Sequence, residues 1–199
     1  MSATEERDEV AGLAPTNTTE ALALAKRISD LCFRCQALAA VARYASQELV
    51  SPIAHEALEA ALQQEDPYKV VGASAWPVRA VIERNQTDPL PLWLSELLKR
   101  AHAIDHPVSK LEALFLLWQG AFPFVHSETA EIFEEFVRAC GSANSWKAGA
   151  RLEEGILMLA SRHPRRAAEL AEGMRDGKYR RRTLQRLSEQ VRLLPRSFF

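Results

Sequence analysis

Glycine is scarce in this chain, with eight in 199 residues; there are three cysteines, and aromatic residues make up only 8% of the sequence. The glycines nowhere gather into a phosphate-cradling loop, and no order of Ser, His and Asp reads as a nucleophilic triad. Cys32, Cys35 and Cys140 are an odd number, and the stretch from Met1 to Val10 is acidic rather than basic and then apolar. Neither a disulfide framework nor an export signal is therefore expected. No stretch approaches the roughly 18 uninterrupted apolar residues of a bilayer span. These lacks lead us to expect a cytoplasmic protein with no membrane association, no cofactor and no enzymatic activity.

What is present is helix signal, almost without strand signal. With 47% hydrophobic and 26% charged residues, the composition is that of an ordinary globular chain able to bury a core. The first 17 residues are polar, carry Pro15 and Asn17 and show no sustained apolar period, so 1–17 is expected to be a flexible tail and 18–199 a single domain. Caps, prolines and turn residues then cut the chain into ten expected helices, at 19–30, 32–48, 51–64, 67–85, 90–104, 107–121, 128–140, 144–162, 164–175 and 177–193. Ser51-Pro52 is expected to open one of them. Pro77, inside Trp76-Pro77-Val78, is expected to kink or break another.

A degenerate phrase recurs: a capping Asp or Asn, a basic residue, then a small residue three positions on. It reads Asp30…Arg34…Ala37-Leu38, Asp66…Lys69 with Ala73, Asp105…Lys110…Ala113-Leu114, Asn144…Lys147…Ala150 and Asp176…Arg180…Thr183-Leu184. The basic positions are 35, 41, 37 and 33 residues apart, the period of a two-helix repeat. The phrase falls at the start of the second helix of each of five hairpins. There the polar residue caps, the basic residue pairs with a carboxylate or lines a groove, and the small residue lets neighbouring hairpins approach.

The order Asp, basic residue, Ala in Asp30-Leu31-Cys32-Phe33-Arg34-Cys35-Gln36-Ala37 resembles HEAT-type repeats, and the unit length is near that of tetratricopeptide repeats. The first helices lack the proline of HEAT units, and the Gly and Tyr positions of tetratricopeptide repeats are missing. The resemblance implies an all-α fold, a right-handed α-α superhelix of about five hairpins used for binding.

Candidate chemistry is sparse. Cys32 and Cys35 form a CxxC without the second pair a zinc site needs, so they are expected to pack. His102 and His106 stand i, i+4 around Asp105, but the Pro107 turn separates them and no Glu completes a zinc-protease pattern. Glu134-Glu135 and Glu153-Glu154 are adjacent on their helices, point about 100° apart and are expected to be solvated. Charge is uneven: residues 1–150 hold 13 Lys or Arg against 20 Asp or Glu, and residues 151–199 hold 12 against 6.

We expect a non-catalytic interaction scaffold that binds a protein or peptide partner along the second helices, through Arg34, Trp76, Lys110, Trp118, Trp146 and Lys147. Large aromatics in helical stripes are expected to be core, but if the second helices line the concave face, Trp76, Trp118 and Trp146 form an aromatic track instead. The alternative is nucleic-acid binding through the arginine-rich last hairpin, by Arg165, Arg166, Lys178, Arg180, Arg181 and Arg182, in the manner of HEAT-like DNA-modifying enzymes.

Overall fold

The computed structural model of the chain describes residues 2–175 and 177–199. Among them are eleven helices and no strand: α1 (Ala3–Leu13), α2 (Thr18–Arg27), α3 (Leu31–Tyr44), α4 (Gln47–Leu62), α5 (Pro67–Glu83), α6 (Leu90–His102), α7 (Pro107–Ala121), α8 (Ser127–Ser142), α9 (Trp146–Leu159), α10 (Pro164–Gly173) and α11 (Lys178–Ser188). The chain is all-α, and the ten expected helices are all present with most ends displaced by only a few residues.

The additional helix is α1, in the stretch expected to be a flexible tail. Ser2 and Glu5 close a capping box: Ser2 Oγ accepts the Glu5 N–H, and the Glu5 carboxylate accepts the Ser2 N–H at 2.7 Å. Val10 and Ala14, four apart, are buried as α1 packs on α2 and α3, so a very short apolar stripe seats the helix.

Pro52 also differs from expectation. Helix α4 starts at Gln47, so Ser51-Pro52 lies inside it rather than opening it. Pro52 is exposed, where water can satisfy the one carbonyl that its missing N–H forfeits. Helix α5 runs unbroken through Pro77. Proline there leaves the Ala73 carbonyl without its partner four residues on, and the Cys35 thiol of α3 donates to that carbonyl at 3.4 Å. A side chain from the neighbouring helix thus replaces the missing backbone bond.

The odd-numbered helices form a row. Helix α3 packs on α1 and α5, α5 on α7, α7 on α9 and α9 on α11. Each even-numbered helix packs on the odd helices before and after it, and α6 also touches α8. The recurring phrase falls at the start of α3, α5, α7, α9 and α11, every member of the row after α1.

Its small residues Ala37, Ala73 and Ala113 are buried between rows, as is Thr183, whose hydroxyl turns back to the Tyr179 carbonyl; Ala150 is half-buried. Helix α7 crosses α5 closely: a Cβ on Gly120 would stand 2.7 Å from the Ala75 carbonyl oxygen. Leu38, Leu111, Leu114, Leu117 and Phe136 fill the space between layers, each worth about 1.5–3 kcal/mol of burial.

The caps follow the expected device with shifts. Asp30 accepts from the N–H groups of Cys32 and Phe33, and Asp66 from that of Tyr68. At α7 and α9 the cap moves one residue on, to His106 and Ser145. Asp176 lies outside the described residues.

Candidate functional site

The basic residue of the phrase has a role the sequence did not suggest. Arg34 donates to the Ile28 carbonyl at 2.6 Å, Lys110 to the His102 carbonyl at 3.4 Å and Arg180 to the Glu172 carbonyl at 3.2 Å. Each acceptor ends the even helix just before, where carbonyls lack intrahelical partners and the dipole favours a cation. Three hairpins therefore use this position as a C-cap supplied from the next helix. In α4–α5 the neutral Gln64 takes the place, donating to Ala61, while Lys69 is exposed.

A second device of the same kind joins successive hairpins. Arg84, after α5, donates to the Arg43 and Ala45 carbonyls at the end of α3, at 2.6 and 3.0 Å. Arg162, after α9, donates to the Phe122 and Pro123 carbonyls at the end of α7 and stacks 4.4 Å over the Phe122 ring. Their donor–acceptor separations in sequence are about one repeat, the signal by which they could have been found.

The alternative, a tryptophan track, does not form. Trp118 is 2% exposed because it faces α8, packing on Phe133 at 4.5 Å between ring centroids, and on Phe122 at 5.1 Å. It belongs to the core. Trp146, 69% exposed, begins α9 at the rim of a separate hollow of about 440 Å³ between α8, α9, α10 and α11, lined by Leu152, Leu170, Met174 and Tyr179. Lys147 beside it is exposed. Of the three, only Trp76 lies half-buried on the solvent side of the odd row.

Trp76 has a partner that no local pattern announces. Residues 191–199 leave α11 and return across the odd helices. The Leu193 N–H donates to the Leu157 carbonyl of α9 at 3.3 Å, and the Trp76 indole N–H donates to the Phe198 carbonyl at 2.9 Å. Residues 191–199 carry no helix, strand or turn.

Its side chains are also seated. The Phe198 ring meets Trp76 edge-on at 5.1 Å and is buried; the Phe199 ring lies 4.5 Å from the Arg43 guanidinium; Arg196 lies 5.5 Å from the Trp76 and Phe198 rings. Beside Arg196 is a hollow of about 370 Å³ between α5, α7 and α9, lined by Tyr68, Leu116, Glu112 and Glu154. Arg151 bridges the two carboxylates, at 3.0 Å to Glu112 and 2.8 Å to Glu154.

Two carboxylates expected to be solvated are buried instead. Glu153 is 1% exposed and accepts from Arg182 Nε at 2.7 and 2.8 Å, from Arg182 Nη2 and from Arg186 at 3.0 Å. Those hydrogen bonds hold the Arg182 guanidinium further toward its charged form. Glu135 is buried among Arg138 at 2.8 Å, His102 at 3.6 Å and Lys110 at 4.0 Å. The Arg138 contact is ionic by distance without hydrogen-bond geometry. Adjacent-residue angles could not show this, because apart from Arg138 on the same helix the partners lie on other helices.

The arginines of the last hairpin are thus dispersed. Arg182 serves Glu153, Arg166 pairs with Glu134 at 3.1 Å and Glu169 at 3.4 Å, and Lys178 lies against the Tyr179 ring. Arg165 and Arg181 are exposed. Cys32 is half-buried and Cys35 fully buried, and burial raises both thiol pKa values. His106 caps α7 by accepting the Ser109 N–H, apart from His102 with its Glu135 contact. Among the described residues no group of three His, Cys, Asp or Glu is placed to hold a metal, and no helix is long and apolar enough to cross a membrane. No protein-family model, curated protein or solved structure matches this chain.

Proposed function

We propose that the chain is an interaction module whose odd-helix row, arranged as a right-handed superhelix of stacked hairpins, receives an extended segment of a protein partner. The observation that carries this reading is the Trp76 N–H bonded to a main-chain carbonyl of residues that cross the row without helix or turn. An indole that holds a carbonyl recognises any backbone at that point, and neighbouring side chains add selectivity. The adjoining hollow, with half-exposed Tyr68 and Leu116 beside charged Glu112 and Glu154, offers room for further residues.

The test is site-specific cross-linking in cells, with a photoreactive amino acid substituted for Tyr68 in the full chain. Leu92, 76% exposed on α6, serves as the outer control. The expected product is one contiguous segment of one protein, joined at position 68 and absent from position 92. Equal yields from both positions, or products scattered over unrelated proteins, would refute the reading.

A further inference from the structure

The identity of the partner segment follows from what already occupies the row, and this step rests on the reading above. We propose that the row takes partner segments of the pattern Arg-x-Phe-aromatic in extended form, and that Arg196-Ser197-Phe198-Phe199 is an internal surrogate that such a partner displaces.

Three complementarities define the pattern. An aromatic ring fits edge-on against Trp76, at the residue whose carbonyl accepts the indole N–H. A second aromatic fits under the Arg43 guanidinium, which Glu83 holds at 2.7 Å. A cation two residues before the first aromatic fits beside the hollow, where Glu112 and Glu154 share the single Arg151 and leave one net negative charge.

The surrogate is held lightly. After Val191, whose N–H donates to the Arg186 carbonyl of α11 at 2.9 Å, its main chain makes two hydrogen bonds to the helices, one at Leu193 and one at Phe198. Arg192 and Ser197 bond only within the segment, and Leu194 is exposed. Such a segment opens far below the cost of global unfolding. Being tethered, it still competes at an effective concentration near the millimolar range, which masks the row from weak ligands.

The probe is a fluorescently labelled synthetic peptide, Val-Arg-Leu-Leu-Pro-Arg-Ser-Phe-Phe, added to the full chain. The full-length F198A variant should bind it about tenfold or more tightly than the unaltered chain, because its own segment no longer competes. A peptide with Ala at its first Phe should bind about tenfold more weakly than the parent peptide. R196E, which sets a carboxylate against Glu112 and Glu154 without emptying the Phe198 position, is the second unmasking variant should F198A fail to fold.

Absence of binding to an unmasked chain with unchanged circular dichroism overturns the proposal. Equal binding to masked and unmasked chains also overturns it. If the peptide fails while position 68 still cross-links to one extended segment, only the Arg-x-Phe-aromatic pattern falls. If both fail, the wider reading falls with it.

Discussion

Removing the two arginines that face Glu153 should destabilise the protein far more than removing the charge of Glu153 itself. The carboxylate is almost fully enclosed, and Arg182 and Arg186 of α11 supply its hydrogen bonds. Taking the partners from a buried ion costs about 3–5 kcal/mol, since the remaining charge has neither water nor counter-ion. Here the arginine side chains are 44% and 32% exposed, so water replaces part of what they give. We therefore expect about 2–3 kcal/mol for R182M/R186M.

E153Q keeps the shape and one acceptor oxygen, and it leaves two guanidiniums already partly in water, so its cost should be about 1 kcal/mol or less. Urea unfolding followed by far-UV circular dichroism reads the difference. With a slope of about 2 kcal/mol/M, the midpoint should fall by about 1–1.5 M for the double variant and by at most about 0.5 M for E153Q. The triple variant E153M/R182M/R186M, in which no charge is left unpaired, should regain most of the loss. If E153Q costs as much as R182M/R186M, the pair is not organised around a desolvated carboxylate and the reasoning fails.

Three further outcomes follow from the packing. G120A places a Cβ against the Ala75 backbone and should cost about 2–3 kcal/mol, whereas G141A, which meets nothing within 4 Å inside α8, should gain up to about 0.5–1 kcal/mol in the same urea assay. The Cys140 thiol is pushed up from about 9 to about 12, first by burial and then by the Glu112 charge. Between those values the unfolded chain has lost this proton while the folded chain holds it, so stability should fall as pH rises from 9, and C140A should flatten that fall. C35A removes the donor to the Ala73 carbonyl and should cost about 1–2 kcal/mol, but less in a P77A background, where the restored N–H at residue 77 reaches the same carbonyl; an equal cost in both backgrounds refutes the substitution of one bond for the other.

The helices and the row were legible because their causes are local. Asp30 and Asp66 cap where their side chains reach the next N–H groups, and Ala37, Ala73 and Ala113 recur at the period of the hairpin. Helix α1 is not legible by apolar period, because Val10 and Ala14 alone make its stripe, although Ser2 and Glu5 carry its capping signature. The basic residues were found, but their function was not. A carboxylate partner is a property of side chains, while the carbonyls at Ile28, His102 and Glu172 are acceptors only because a helix ends there.

Of the proposed site the sequence offered one residue, Trp76, and the reason lies in sequence distance. Its hydrogen-bond partner is 122 positions away, beyond any period a repeat could reveal. The same separation distinguishes the two kinds of arginine. Arg84 and Arg162 reach carbonyls about one repeat away, and Arg182 reaches a carboxylate 29 positions away, so each stitches neighbouring helices. Arg196 reaches back to Trp76 across the row and fastens nothing that the core does not already hold. A cation that contributes to no helix end and no buried carboxylate is free to be exchanged for another. The proposed exchange of segments on the odd row depends on that difference, between contacts the fold requires and contacts it merely accommodates.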